Sequence, residues 1–416
     1  MKFKIFKIKE GKGNIKEYDY DGILEFEGEY LNGERNGKGK EYYSDGVLLF
    51  EGEYLNGERD GKGKEFYKNG KLKFEGEYLN GKKWNGNGYN VNRKIEFKLK
   101  GGKGNIKEYY SNDTLIFEGK YLNGERNGKG KEYDYDDILL FEGEYLNGER
   151  NGKGKEYYEN GKLEFEGEYL NGKKWNGIGY NIKGNKEFDI KDGKGNIKEY
   201  IYYNGILKFE GEYLNGERNG KGKEYYYNDK LEFEGEYLNG KRNGKGKEYY
   251  DNGKLEFEGE YLNGKKNGRG KEYYKNDKLR FEGEYLNGNN WNGNGYNMKG
   301  NKEFEIKDGK GYIKLYYYNG ILKFEGEYLN GDRNGNGKEY YYNGKLEFEG
   351  KYINGKRNGI GKEYYDIGIL KFEGEYLNGE RNGKGKEYNY DGKLEFEGEY
   401  LNGKRNGKGK KFYGKW

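Results

Sequence analysis

A short motif, Phe-Glu-Gly-Glu-Tyr-Leu-Asn-Gly, recurs along the chain, and this repetition limits the possible folds more than any other feature of the sequence. Allowing for substitutions at Lys120, Lys351 and Ile353, fourteen copies begin at Phe26, Phe50, Phe74, Phe117, Phe141, Phe165, Phe209, Phe233, Phe257, Phe281, Phe324, Phe348, Phe372 and Phe396. Degenerate copies fill the wider gaps and the N-terminal segment, and these begin at Phe6, Phe97, Phe188 and Phe304. Eighteen units therefore account for nearly all of the 416 residues and leave no room for a separate catalytic domain.

The repeat also predicts how the chain is divided. A unit of at most 24 residues is too short to bury a core of its own, so neighbouring units must stabilise one another, as in other repeat proteins. We therefore expect a single elongated repeat domain over residues 1–416. Its predicted sub-blocks, each opening with a short degenerate repeat, are 1–92, 93–183, 184–299 and 300–416.

Each unit carries the signals of a β-hairpin. In the stretch from Gly152 to Tyr169, the dipeptide Asn160-Gly161 is typical of a type I′ turn, whose two central residues both need positive φ. With that turn, the predicted register opposes Tyr158 to Leu163, Gly154 to Gly167, Gly152 to Tyr169, Lys155 to Glu166, and Lys153 to Glu168. One face of the sheet then carries aromatic rings and glycines, which leave shallow places for the rings to lie flat, and the other carries an ion-pair ladder.

The connection between one hairpin and the next has the sequence Leu146–Asn151, and we expect a longer glycine-containing loop there. Because hairpin follows hairpin, the sequence predicts an all-β fold. We expect an elongated antiparallel meander of about 18 stacked hairpins, in the form of a rod or a curved trough.

The repeat resembles the MORN repeat, in the variant Tyr-Tyr-x-Asn-Gly-Lys-Leu-x-Phe-Glu-Gly-x-Tyr found in antitoxin-like MORN proteins. Residues 157–172 follow this pattern closely, and Gly-Lys-Arg-Asn-Gly-Lys-Gly at 240–246 matches its end. The resemblance covers almost the entire chain and implies a sheet of stacked hairpins that serves as a scaffold or membrane-apposition module, sometimes as a dimer or with phosphoinositides. Tyr here replaces the customary Trp of the family pattern, and Asn replaces its frequent His.

Composition excludes many functions. The chain has no His and no Cys, so we expect no catalytic residues, no cofactor and no ordinary metal site. A net charge of only +5 argues against a nucleic-acid partner. Because no run of about 20 apolar residues is present, we expect a soluble intracellular protein, with a peripheral position at a membrane or the cytoskeleton as the alternative.

Aromatic side chains are the first candidates for partner binding, and we single out Phe141, Tyr145, Phe165 and Tyr169. A strip of rings with glycine gaps could receive a peptide, a helix or a second copy of the chain. The alternative, which we favour at most positions, is that the rings tile the sheet and form its only core.

Two further groups of residues have alternative interpretations. A Glu precedes each tyrosine pair, as at Glu156, and it either faces the aromatic side as part of an acidic row or, as we favour, is rotated outward by a β-bulge. Trp84, Trp175 and Trp291 interrupt the repeat at equivalent places. They are candidate partner anchors, and the alternative we favour is that each folds back over the irregular hairpin that follows.

These features predict a non-enzymatic scaffold that binds a protein partner, or itself as a homodimer, through the aromatic face. A peripheral organiser that binds anionic lipid through lysines and tryptophans is the second hypothesis, although the interleaved glutamates oppose it. An antitoxin-like neutraliser is the third, and it rests on the family resemblance alone.

Overall fold

The computed structural model describes residues 3–9, 11–19, 21–110, 114–201, 203–317 and 319–412. These residues form 36 β-strands. Among them there is no helix long and apolar enough to cross a membrane.

The strands form three sheets, and in each sheet the spatial order of the strands is their order in the chain. The first sheet contains β1 Phe3–Lys9, β2 Lys12–Tyr18, β3 Leu24–Leu31, β4 Glu34–Tyr42, β5 Leu48–Leu55, β6 Glu58–Phe66, β7 Leu72–Leu79, β8 Lys82–Tyr89 and β9 Ile95–Leu99. The second contains β10 Gly104–Tyr109, β11 Leu115–Leu122, β12 Glu125–Tyr133, β13 Leu139–Leu146, β14 Glu149–Tyr157, β15 Leu163–Leu170, β16 Lys173–Tyr180 and β17 Lys186–Ile190.

The third sheet has 19 strands, and it includes the degenerate hairpin that begins at Phe304. Its strands are β18 Gly195–Tyr200, β19 Leu207–Leu214, β20 Glu217–Tyr225, β21 Leu231–Leu238, β22 Lys241–Tyr249, β23 Leu255–Leu262, β24 Lys265–Tyr273, β25 Leu279–Leu286, β26 Asn289–Tyr296, β27 Lys302–Lys307, β28 Lys310–Tyr316, β29 Leu322–Leu329, β30 Asp332–Tyr340, β31 Leu346–Ile353, β32 Lys356–Tyr364, β33 Leu370–Leu377, β34 Glu380–Tyr388, β35 Leu394–Leu401 and β36 Lys404–Lys411.

The predicted all-β meander of stacked hairpins is confirmed. Consecutive strands pair antiparallel, as in β4 with β5 and β5 with β6. Two compact units divide the chain: unit 1 contains Met1–Lys208 and Glu212–Glu217, and unit 2 contains Phe209–Gly211 and Arg218–Trp416. The finer division into four sub-blocks stays a prediction.

The predicted register is confirmed over most of the hairpin formed by β14 and β15. Gly154 lies opposite Gly167, and Lys155 lies opposite Glu166. The expected pairing of Tyr158 with Leu163 is wrong, because Leu163 lies opposite Tyr157 instead. The register shifts there because the neighbouring residue of β15 forms a β-bulge, which shortens the ladder by one residue.

The turns at Asn160-Gly161 and Asn147-Gly148 are the reverse of those expected from the sequence. Asn160-Gly161 lies in a three-residue loop, in which the Gly161 N–H donates to the Tyr158 carbonyl over 2.8 Å and only the glycine has positive φ. The tight two-residue turn lies instead at Asn147-Gly148, where φ is 51° and 87°, as a type I′ turn requires. The expectations of a type I′ turn at the first site and a longer loop at the second are therefore both wrong.

The two faces of each sheet differ in chemistry, as predicted. We call the side that carries Phe50, Gly52 and Tyr54 the aromatic face, and the side that carries Glu51 and Glu53 the ionic face, and we use these names for the equivalent residues of every unit. On the aromatic face the phenylalanine of each of the fourteen complete motifs is buried, as at Phe50.

Glycines make the aromatic face flat enough to bury these rings. A Cβ atom added at Gly52 or Gly63 would lie 2.6 Å or less from the Phe50 ring, so the ring rests directly on the backbone of two neighbouring strands. Tyr54 and Tyr78 then pack edge-on against Phe50, with ring centroids 5.6 Å and 5.1 Å away. Because Tyr78 comes from the following unit, each ring is buried only when its neighbour is folded.

Hydrogen bonds also join successive units along both margins of the sheets. At one margin the Tyr43 hydroxyl donates to the carbonyl of Phe66 over 2.9 Å. At the other margin the Gly57 N–H, in the tight turn, donates to the carbonyl of Arg35 over 2.9 Å. Both contacts recur in later units, so the turns are stacked in register with the strands.

We expect Gly63→Ala to destabilise the first sheet by roughly 1–3 kcal/mol, because the added methyl group would overlap the Phe50 ring. Urea unfolding followed by circular dichroism measures the change. Gly57→Asn is the matched control, because this turn glycine has open space around it and Asn tolerates its positive φ. Equal destabilisation by both changes would contradict the proposed packing.

Candidate functional site

The aromatic face is covered by charged side chains of the protein itself. The guanidinium of Arg59 lies 4.1 Å from the centroid of the Phe50 ring, and Arg150 lies at the same distance over Phe141. A guanidinium stacked on an aromatic ring contributes roughly 0.5–2 kcal/mol. The aromatic face is therefore a core with a charged cover and not an open apolar surface.

Four residues that the sequence singled out for partner binding lie in this core. Phe141, Tyr145, Phe165 and Tyr169 are buried, with at most 3% of their surface exposed. Tyr169 packs edge-on against both phenylalanines, with centroid distances of 5.2 Å and 5.5 Å. Their placement matches the tiling interpretation, and their role in binding a partner stays a prediction.

The glutamate before each tyrosine pair faces the aromatic side, so the expected outward rotation is wrong. Glu41 lies opposite Phe50, and its carboxylate accepts hydrogen bonds from the Tyr54 hydroxyl, over 2.8 Å, and from Arg59. A bulge is present, but it displaces Leu49 on the following strand rather than the glutamate. The inward carboxylate is tolerated because the arginine and the tyrosine hydroxyl both bind it.

Arginines and these glutamates alternate from unit to unit beneath the surface. In the second sheet, Arg126 lies 2.8 Å from Glu108 and 2.9 Å from Glu132, and Glu132 in turn binds Arg150. The same alternation recurs in unit 2 between Arg242 and its neighbouring glutamates. Sequence reasoning missed this network, although the constant spacing of six residues from each arginine to the next such glutamate was a signal for it.

Glu65 shows most clearly how neighbouring cations change the pKa of a buried carboxylate. Its carboxylate is buried, which by itself raises its pKa, but Lys83 at 2.9 Å and Lys73 at 3.3 Å outweigh burial. Together with Arg59 they lower the pKa of Glu65 to about 2. The charged form of this carboxylate is therefore part of the folded state at neutral pH.

The three candidate tryptophans occupy equivalent positions on β8, β16 and β26. Trp84, Trp175 and Trp291 are half-buried, and each ring lies against a glycine in the turn of the next, irregular hairpin. The carbonyl of each tryptophan accepts a hydrogen bond from that turn glycine, for example from Gly102 over 2.7 Å. The placement matches the folded-back interpretation, and a role as partner anchors stays a prediction.

The ionic face contains two concave grooves, both within unit 1. One groove has a volume of about 1140 Å³ and runs across β2–β8, and the other has a volume of about 940 Å³ and runs across β9–β15. The backbone of the paired glycines forms the floor of each groove, and two rows of lysines and glutamates form its walls.

In one wall of each groove, the lysines form ion pairs with glutamates. We call it the paired row, because every lysine of this wall that lines the two grooves lies within 4 Å of the glutamate opposite. Its ion pairs are Lys16–Glu27, Lys40–Glu51, Lys64–Glu75, Lys107–Glu118, Lys131–Glu142 and Lys155–Glu166.

The other wall contains four exposed lysines, which we call the open row: Lys38, Lys62, Lys129 and Lys153. Each lies opposite a glutamate in the register, but none forms an ion pair among the residues that the structure describes. Each of these glutamates accepts a hydrogen bond from the next strand. Glu53 and Glu144 accept from backbone N–H groups, and the other two carboxylates accept from asparagine side chains.

Comparisons with known proteins identify the repeat. The model of the MORN repeat matches residues 26–47, 117–137, 209–230, 233–254, 257–278, 324–345, 348–369, 372–393 and 396–416. The model of a MORN repeat variant matches residues 59–80 and 150–171. Together these matches cover more than half of the chain. No curated protein matches the chain significantly.

Solved structures add no information about function. The chain is similar to TcdB2-TccC3-Cdc42, with 10% identity and a TM-score of 0.14, and to TcdB2-TccC3-TEV, with 10% identity and a TM-score of 0.16. The matches include 93% and 94% of this chain but only 24% and 26% of those chains. The chain thus spans about a quarter of their length, and such low TM-scores support no further argument.

We expect Tyr54→Phe to lower the free energy of unfolding by about 1–2 kcal/mol, because it removes the hydrogen bond to the Glu41 carboxylate. Tyr285→Phe is the matched control. Tyr285 is equally buried, but its hydroxyl makes no hydrogen bond within the described residues, so its removal should change stability by less than about 0.5 kcal/mol. Urea midpoints measure both, and equal effects would refute the proposed role of the Glu41 contact.

Glu65→Gln tests the charged cover through its pH dependence. A carboxylate whose pKa is lowered from 4.5 to about 2 on folding stabilises the protein above pH 4.5, and this contribution is lost as the pH falls towards 2. We expect the variant to be less stable by on the order of 2 kcal/mol at pH 7 and to lose less stability over that window. The exposed Glu34→Gln is the control, and unfolding midpoints from pH 2.5 to 7 provide the measurement.

Proposed function

Because the chain belongs to the MORN repeat family, we propose that it is a non-enzymatic scaffold that binds a protein partner along the ionic face of unit 1. Repeats of this family form scaffolds that are commonly used for protein or membrane interaction. The partner and the face it uses are the new parts of the proposal.

One observation supports the ionic face over the aromatic face. The two grooves open on the ionic face, whereas the rings of the aromatic face lie under arginines and glutamates. A partner on the aromatic face would have to displace half-buried ion pairs, which leaves charges unpaired and costs several kcal/mol. A partner in the grooves would contact exposed lysines, glutamates and backbone without any rearrangement.

Exposed leucines provide the observation for a second candidate function. The leucine of the repeated motif lies on the ionic face beside the tight turn, and at Leu55 and Leu146 49% of the residue is exposed. A row of such leucines next to lysines could insert into an anionic membrane surface. The glutamates of the same face would be repelled by that surface, so we rank this function second.

Photo-cross-linking tests the proposal. A photo-reactive residue in place of Lys62, in a groove wall, should form an adduct of discrete mass with a partner protein in extracts of the source cells. The same residue in place of Lys68, exposed at a hairpin tip, is the control and should form none. Mass spectrometry of the adducts identifies the partner.

Flotation with phosphatidylserine vesicles, repeated with Leu55→Ser and Leu146→Ser together, tests the alternative. Vesicle binding that this variant abolishes, without an adduct at Lys62, would replace the protein scaffold with a membrane-binding function. An adduct at Lys68 but not at Lys62 would show that the partner does not use the groove.

A further inference from the structure

Some hairpin tips carry a tyrosine that packs on the tip of the preceding hairpin. Tyr135 lies in the loop between β12 and β13, and Tyr390 lies in the loop between β34 and β35. Their rings contact Tyr110 and Tyr365, which belong to the hairpin before each of them. These contacts join successive hairpins at the margin of the sheet, outside both faces.

Both pairs of rings are stacked face to face. The ring centroids of Tyr110 and Tyr135 are 3.8 Å apart, with 30° between the ring planes. Those of Tyr365 and Tyr390 are 3.9 Å apart, with 24° between the planes. We call these the stacked pairs. The outer ring of each pair is open to solvent, since 63% of Tyr135 and 62% of Tyr390 is exposed.

The inner tyrosine of each stacked pair is anchored through its hydroxyl. The Tyr110 hydroxyl donates to the carbonyl of Tyr133 over 3.3 Å, and the Tyr365 hydroxyl donates to the carbonyl of Tyr388 over 2.9 Å. Burial, and then the nearby phenol of Tyr135, raise the pKa of Tyr110. The two hydroxyls of a pair therefore lie near each other, and the two rings point in the same direction.

The composition of the chain makes tyrosine its main oxidisable side chain. The sequence contains 50 Tyr but no Cys and only 2 Met. Thiols and thioethers are common targets of oxidants, and a thiol also reduces a tyrosyl radical. Because no Cys is present, no disulfide joins the hairpins, and a radical on an exposed tyrosine meets no thiol of the same chain.

Face-to-face stacking is the arrangement in which two tyrosyl radicals couple. A phenoxyl radical carries much of its unpaired electron on the ring carbons ortho to the oxygen, in p orbitals perpendicular to the ring plane. In a stacked pair these orbitals point at the partner ring. In the edge-on contact of Tyr317 with Tyr342, where the planes meet at 65° and the centroids are 5.3 Å apart, they point elsewhere. Stacking thus replaces a diffusional encounter with contact inside one molecule.

We propose that the stacked pairs Tyr110–Tyr135 and Tyr365–Tyr390 are sites of dityrosine formation by a peroxide-dependent one-electron oxidant. Each phenol loses one electron and one proton, and the two radicals form a carbon–carbon bond between ortho carbons. The hydrogens on those carbons then move, as protons, to the phenol oxygens. In total the pair loses two hydrogen atoms, and one hydrogen peroxide is reduced to two water molecules.

Such a cross-link stabilises the repeat whichever partner the scaffold binds. The bond from Tyr110 to Tyr135 closes a covalent loop around β11 and β12, and the bond from Tyr365 to Tyr390 closes one around β33 and β34. A closed loop restricts the unfolded chain more than the folded one, as a disulfide does. The proposed modification therefore supplies the covalent link between hairpins that a chain without Cys lacks.

The test treats the full chain, at low protein concentration, with a haem peroxidase and limiting hydrogen peroxide. Mass spectrometry of tryptic peptides should find peptide pairs joined with the loss of two hydrogen atoms, and fragment spectra should place the bonds at Tyr110–Tyr135 and Tyr365–Tyr390. Oxidation should also raise the urea midpoint of unfolding, measured by circular dichroism.

Two variants that each remove two phenols separate stacking from exposure. Tyr135→Phe with Tyr390→Phe keeps a ring at each stacked position but removes the phenols, so dityrosine fluorescence should fall roughly fivefold and oxidation should no longer raise the midpoint. The control is Tyr227→Phe with Tyr312→Phe. These tyrosines are 70% and 53% exposed and belong to neither stacked pair, so fluorescence should fall by less than about a third.

Several results would overturn the proposal. Equal losses of fluorescence in the two variants would show that coupling follows exposure alone. Cross-links that join separate chains and disappear on dilution would show that the stacked pairs do not react within one molecule. Oxidised tryptophan or hydroxylated tyrosine as the main product would show that the stacked pairs are not coupling sites. An unchanged urea midpoint in the cross-linked protein would refute the stabilising role.

Discussion

A sheet one layer thick has to bury its aromatic rings without a second layer, and the rest of this structure depends on how it does so. Phe50 lies on the backbone of two glycines, is flanked edge-on by two tyrosines, and is covered by an arginine. Part of this cover comes from the neighbouring unit, as Tyr78 does for Phe50. A unit therefore cannot complete its own core, and repetition is the physical condition for stability.

Charge has different roles on the two faces. On the aromatic face, a buried carboxylate such as Glu65 is held ionised by cations that also cover the rings, so the electrostatic network and the apolar core are one structure. On the ionic face, exposed pairs such as Lys64–Glu75 contribute little stability individually. What they contribute is register and solubility, and their pattern determines which lysines remain available to a partner.

The structure shows a difference between lysines that cannot be seen from the composition. Lysine and glutamate are nearly balanced in number, so net charge selects no partner. The structure separates lysines whose charge is matched across the strands, such as Lys40, from lysines whose opposite glutamate is bound elsewhere, such as Lys38.

The sequence by itself determined the hairpin repeat, the pairing of glycines across strands, and the division into an aromatic and an ionic face, because these follow from alternation along a strand and from the fixed spacing of the motif. Only the tertiary structure decided the position of the two-residue turn, the inward direction of Glu41 and the unpaired state of Lys38. Each of these depends on a bulge or on a hydrogen bond from a neighbouring strand. Such contacts shift the register or redirect a side chain by one residue, and a pattern read along a single strand contains no information about them.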